Sequence, residues 1–179
     1  MQVELKKIKI AKFLSEETVA FKAQLWVDGE HIAEVSNEGR GGNNMIRHFY
    51  DGNDYNTLSK VKAFHAWCKA QPPHVDKLRE TSVDKWGSLS MDADLYISLM
   101  IEDYEKEQEQ KRLGQQLKRW CKTKTVIKLE GDEEGNYLIY KRPYSAGFAQ
   151  RIRSFYQRHP DTEPKLVEIV NERFIKVTA

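Results

Sequence analysis

Residues 19–27 carry the alternation of a strand. Val19, Phe21, Ala23, Leu25 and Val27 are apolar, and Lys22, Gln24 and Trp26 stand between them. That two-residue period belongs to a strand with one buried face. Asp28-Gly29 comes next, two residues that tolerate positive φ and so turn a hairpin. Residues 31–35 then return. Register matters here, because a one-residue slip reassigns every partner. A two-residue Asp28-Gly29 loop sets Ala23 opposite Glu34, whereas a three-residue loop reaching Glu30 pairs Leu25 with Ala33 and Ala23 with Val35. We favour the second, which keeps apolar beside apolar. Upstream, Val3 to Phe13 reads as a first strand with Ser15-Glu16-Glu17 as its turn. Its apolar phase shifts between Leu5 and Ile8, which predicts a bulge.

Helical periods take over in the middle. Leu58, Val61, Phe64, His65 and Cys68 recur at helical spacing, Asn56 or Thr57 can cap them, and Pro72-Pro73 ends the segment. Residues 74–89 fit either a short helix or a loop. From Ser90 a long helix is expected, with Ile97, Met100, Ile101 and Tyr104 as its stripe and Glu102–Lys106 and Glu107–Lys111 as favourable pairs. Glu105 to Arg112 is polar on all sides and either bridges through solvent or frays. Leu113, Leu117 and Trp120 resume an apolar face across Gly114, a residue costing about 1 kcal/mol relative to alanine in a helix.

A second hairpin is expected from Thr125–Leu129 and Tyr137–Lys141, joined by Gly131 to Asn136. Ser145 caps a helix carrying Phe148, Ile152, Phe155 and Tyr156, which Pro160 stops. Pro164 is read as opening a short helix through Val170, with Phe174 to Val177 as a final strand. The fold class is therefore α+β: an N-terminal antiparallel meander, central helices, then a C-terminal hairpin and helices. At 179 residues one domain accommodates this, and Asp51-Gly52-Asn53-Asp54 would divide it into subdomains 1–52 and 53–179 if there are two.

Charge is uneven. Between Lys111 and Arg158 there are twelve bases and four acids, a balance of +8 against +2 for the whole chain. The acids, Glu130, Asp132, Glu133 and Glu134, are bunched in one expected turn. Only Cys68 and Cys121 occur, not as a CxxC pair, so both are expected to be reduced and packed in a cytoplasmic protein. The amino terminus lacks the apolar core of a secretory leader. No apolar run approaches the roughly 20 residues of a spanning helix, so no membrane association is expected.

Ser36-Asn37-Glu38-Gly39-Arg40-Gly41-Gly42-Asn43-Asn44 is the most unusual segment. Its glycines free the backbone, so N–H groups from Gly39 through Gly41, Gly42, Asn43 and Asn44 can be imagined converging on an anion with Arg40 adding charge. The pattern is neither GxxxxGK[ST] nor GxGxxG. The alternative is an ordinary connection leaving a hairpin. In the Ser-Asn-x-Gly-Arg-Gly-Gly loop and the meander before it, residues 3–49 resemble small uncharacterised bacterial and prophage-type proteins. That resemblance implies a phage or mobile-element accessory role and carries no catalytic residues across.

Other chemistry is thinly represented. His65 and Cys68 share a helix face, but no second pair has metal-ligand spacing, so core packing is expected and no metal or cofactor is. The same gap weakens a Cys–His nucleophile. Asp51 to Asn56 superficially suggests calcium, yet Tyr55 occupies a ligand position and no distal glutamate follows. Lys118, Arg119, Lys122, Lys124, Lys141 and Arg142 surround the second hairpin with Tyr140 and Tyr144 interleaved, a composition suited to phosphate contacts and base stacking. Three functions follow in order of expectation: non-catalytic binding of a macromolecular partner, a protein before a nucleic acid; nucleic-acid binding through residues 111–158; and an enzyme or sensor for a phosphorylated small molecule at Gly39–Asn44.

Overall fold

A computed structural model describes residues 1–49, 55–75, 88–161 and 163–175. The chain is α+β, as its sequence predicts. It divides into two compact units, Met1–Tyr104 and Glu105–Ala179. The first unit extends well past residue 52, because helix residues further on share a core with its strands; residues 51–54 themselves lie outside the described residues.

In the first unit, β1 (Val3–Ile10), β2 (Phe21–Val27), β3 (Glu30–Asn37) and β4 (Met45–His48) form one antiparallel sheet in sequence order. The hairpin register combines the two alternatives. Val27 pairs with Glu30 and Trp26 with His31, so the loop is the two residues Asp28-Gly29, at φ 49° and 83°. One shift of register then puts Leu25 opposite Ala33 and Ala23 opposite Val35. The bulge at Ile32 lets both Ile32 and Ala33 be buried. The expected β1 bulge is present too, between Lys6 and Lys9, with Lys7 at φ 51°. β1 stops at Ile10, short of Phe13. A 3-10 turn at Lys12–Leu14 follows and leaves Phe13 86% exposed. β4 carries no sequence signal strong enough to identify it, being four residues long behind a glycine-rich loop.

Helix α1 (Tyr55–Lys69) lays Val61, Phe64 and Cys68 on this sheet. Both Asn56 and Thr57, the expected caps, lie within the helix, and the Thr57 hydroxyl donates to the Phe49 carbonyl at 3.2 Å. Between α1 and the next helix, β5 (His74–Val75) pairs with β6 (Ser88–Leu89). Helix α2 (Ala93–Cys121) starts three residues after Ser90 and is capped by Asp92, whose Oδ1 accepts from the Leu95 N–H at 2.8 Å. Its early residues Ala93, Ile97 and Ile101 complete the first core. Residues 105–112 are helical throughout, with Glu107–Lys111 and Glu109–Arg112 pairs at 3.1 and 3.0 Å. Surface ion pairs of this spacing contribute a few tenths of a kcal/mol each, about 0.3–0.5.

In the second unit, β7 (Thr125–Leu129) lies between β8 (Leu138–Tyr140) and β9 (Leu166–Ile169), all antiparallel. Helix α3 (Ala146–Arg158) begins at the predicted cap, Ser145, whose hydroxyl accepts from the Phe148 N–H at 3.2 Å. Over residues 164–175 the structure reverses the expectation, while residues 176 and 177 of the expected final strand lie outside the described residues. Leu166–Ile169 is a strand, and Asn171–Ile175 is a short helix, α4. Without β9, one edge of β7 would be unpaired. With it, β7 is paired on both sides and Ile127 meets Ile169, an apolar cross-strand pair that, with the ladder itself, outweighs the helix-opening signal of Pro164.

Candidate functional site

The basic residues of the second hairpin gather at one end of the three-stranded sheet. Thr125 pairs with Tyr140, and the Thr125 hydroxyl donates to the Arg142 carbonyl at 3.0 Å. Lys124 and Lys141 therefore flank the same rung. Lys118 and Arg119 occupy the last turn of α2, which closes as the Thr123 and Lys124 N–H groups donate to the Trp120 carbonyl at 3.1 and 2.8 Å. Among the described residues none of these cations, nor Lys122 or Arg142, forms an ion pair. The acids Glu130, Asp132, Glu133 and Glu134 sit past the opposite end of β7. A five-residue strand separates them, roughly 17 Å at about 3.4 Å per residue. That is about twice the screening length at physiological salt, roughly 8 Å. The acids do not neutralise the basic end.

A residue that sequence reasoning passed over fixes this geometry. Asn171 is 1% exposed. Its Oδ1 accepts from the Val126 N–H at 2.8 Å, and its Nδ2 donates to the carbonyls of Lys124 and Cys121 at 2.8 and 3.2 Å. One side chain thus holds the end of α2, the 122–124 turn and the start of β7 together. Sequence offered no pointer beyond an asparagine after an apolar run.

The aromatics are less available than their spacing implied. Tyr140 and Tyr144 are half-buried at the edge of the cluster formed by Ile127, Ala149, Ile152 and Ile169. Tyr140 meets the Phe148 ring edge-on at 5.4 Å, and the Tyr144 hydroxyl donates to Glu172 Oε1 at 3.1 Å. Burial, with that hydrogen bond to Glu172 adding to it, raises the Tyr144 phenol above its ordinary range. Trp120 belongs to the Leu117–Val126–Val170 cluster. Phe155 is the aromatic left 51% exposed on α3.

The glycine-rich loop is wired to its own chain. The Gly39 N–H donates to Asn37 Oδ1 at 2.8 Å, the Gly41 N–H to Thr18 Oγ1 at 3.3 Å, and the Asn44 N–H to Asp94 Oδ1 at 2.6 Å. The Gly39 carbonyl accepts from Glu16 and Glu17 at 2.9 and 3.0 Å. Three of the amides proposed for an anion are thus engaged internally, and Asn43 and Gly42 lie on an exposed rim. Glycine is obligatory at position 39, where φ is +86° and a Cβ would stand 2.3 Å from the Leu14 carbonyl oxygen. The exposed Arg40 side chain lines a groove on the sheet beside the loop.

Cys68 is fully buried, while His65 on the next turn is exposed, so the two do not converge. Burial, with the Asp92 carboxylate adding, pushes the Cys68 thiol up to about 11. Burial also raises Cys121. Neither thiol is set up as a nucleophile, which requires the opposite shift. No cluster of three or more metal-ligating side chains occurs among the described residues, and no described helix is long and apolar enough to cross a membrane. No protein-family model matches the chain, and neither a curated protein nor a solved structure does.

Proposed function

We propose that the chain is a non-catalytic binding protein that takes nucleic acid at the basic end of the β7–β8 hairpin. The observation that supports this is the segregation of charge: six cations that form no ion pair among the described residues at one end of a short sheet, and four acids at the other. Cations held together repel one another, and a polyanion relieves that repulsion while releasing its own condensed counterions. Half-buried aromatics leave phosphate contacts, rather than base stacking, as the main source of affinity.

The test is the salt dependence of duplex binding. Six phosphate contacts give a slope of log K against log salt near about −5. Replacing Lys122 and Lys124 by alanine reduces that slope by about two and leaves the melting temperature within a few degrees, because Lys122 is exposed, Lys124 is half-buried, and among the described residues neither forms an ion pair. Absence of binding at moderate salt, or a slope unchanged in the double variant, rejects the reading.

A protein partner is the second reading, favoured by a different surface. β9 is an edge strand, and its Val167 is 60% exposed, an arrangement open to strand addition. Capture from lysate with and without nuclease separates the two. A partner retained after nuclease and lost on Val167→Lys supports the protein reading.

A further inference from the structure

The outer face of the first sheet carries a row of side chains that works against folding. Lys9 and Lys22 stand directly opposite each other across β1 and β2, both exposed. Like charges in that position destabilise a sheet. Next in the row, Lys22 faces Ser36, and Ser36 faces Met45. Arg47 follows on β4, and Arg40 reaches in from the glycine-rich loop; together with Lys9 and Lys22 they line a groove of about 490 Å³. Among the described residues none of these four cations forms an ion pair. Glu34, opposite Arg47, instead accepts from Gln24 Nε2 at 3.2 Å. Among the described residues Glu38 is the one carboxylate in the lining. Leu14 and Met45, 47% and 40% exposed, supply apolar wall.

We propose that this groove is a binding site for a small organic phosphate carrying at least two negative charges and a short aliphatic part. Its volume falls in the range of small-molecule sites, about 300–1,000 Å³, and four cations against one acid set the charge of the occupant. Two lysines on one rung act as point charges toward one phosphate group, and two arginines offer planar forks toward its oxygens. The internal hydrogen bonds of the glycine-rich loop have a purpose in this arrangement. Asn37 binds the Gly39 N–H, the Gly42 carbonyl and Asn44 Oδ1 at 2.8, 3.1 and 3.1 Å, and Asn44 is tied to Asp94 and Ser98. The loop is a fixed bracket for Arg40, and the cations, not the loop amides, recognise the anion. The site is independent of the basic end of the second unit.

Thermal unfolding of the full chain at about 0.15 M salt, where exposed electrostatics are screened beyond roughly 8 Å, tests the site with two probes, inorganic pyrophosphate and a five-carbon alkyl diphosphate. Both raise the melting temperature of the wild type. The alkyl diphosphate binds about tenfold tighter, the worth of about two buried methylenes. Lys22→Gln and Lys9→Gln each melt at or above the wild-type temperature without ligand, because the like-charge pair is relieved, and each loses the ligand-induced rise. Duplex binding is unchanged in both variants. No rise with either probe, equal affinity for the two probes, a rise retained in both variants, or duplex binding lost with them overturns the proposal.

Discussion

Asn171→Ala removes three hydrogen bonds at once, and the loss can be worked out bond by bond. The Val126 N–H has no solvent to turn to, since Val126 and Asn171 are 0% and 1% exposed. Leaving a buried donor unpaired costs about 1–3 kcal/mol. The carbonyls of Lys124 and Cys121 belong to half-buried residues, where water can replace part of what is lost, so each adds less than a buried group would. The expected total is about 3 kcal/mol. Urea unfolding followed by far-UV circular dichroism reads it as a lower midpoint. Amide exchange gives the sharper measurement: the Val126 N–H exchanges about a hundredfold faster, at about 1.4 kcal/mol per factor of ten, while Leu25 and Val35 in the first unit keep their protection. Asn171→Asp is the control. It retains an acceptor for Val126 but sets a carboxylate against two carbonyls, so it is no better than alanine. A loss under about 1 kcal/mol, or unchanged exchange at Val126, refutes the idea that this side chain holds the corner of the second unit.

Two further outcomes follow from the burial and backbone geometry. Gly39→Ala forces a Cβ to 2.3 Å from the Leu14 oxygen and 2.9 Å from the Ala20 Cβ at φ +86°, and is expected to cost about 3 kcal/mol or more in urea unfolding; Gly42→Ala, at φ +104° with nothing within 4 Å, pays only the left-handed backbone, about 1–2 kcal/mol. Equal losses at the two positions would contradict the close approach at Leu14. Cys68→Ser is expected to cost about 1–3 kcal/mol by placing a hydroxyl in the apolar core. Its raised thiol also sets a pH dependence. The unfolded chain ionises first as pH climbs past the ordinary value of 9.0, whereas the folded thiol holds its proton to about 11, so stability falls over that window, and Cys68→Ala makes the fall shallower. A fall unchanged by Cys68→Ala excludes this thiol as its source.

Local pattern was legible wherever it was dense. Residues 21–27 alternate through seven positions, and the strand followed; Thr125–Leu129 and the Ser145 cap were likewise readable from a few neighbours. The hairpin register was less so, since both candidate loops satisfied part of the pattern and only a bulge at Ile32 reconciled them. The end of the chain went astray because Pro164 gives a local helix-start signal, while the demand for a strand came from the open edge of β7, some forty residues earlier by numbering. Sites fared similarly. The basic residues at the second hairpin could be brought together from the sequence because a hairpin joins its own ends. Lys9, Lys22, Arg40 and Arg47 could not, because they come from three strands and a loop and form a groove only once the sheet is assembled.

Asn171 also separates two contributions to binding that are usually confounded. The salt slope counts phosphates neutralised, and that number depends on which cations are present. Affinity at fixed salt depends in addition on whether those cations are held where the phosphates lie, because ordering them on binding costs conformational entropy. Among the described residues Asn171 forms no hydrogen bond with any of the six basic side chains, yet it binds the Lys124 carbonyl and the strand that positions Thr125 against Tyr140. A conservative variant such as Asn171→Ser, measured well below its own unfolding midpoint, should therefore weaken duplex binding severalfold while leaving the slope near that of the wild type, whereas Lys122→Ala with Lys124→Ala changes the slope itself. A slope that falls in Asn171→Ser as much as in the lysine double variant would mean that the turn has lost its contacts altogether, and that the basic end is a product of this one buried asparagine rather than of the hairpin.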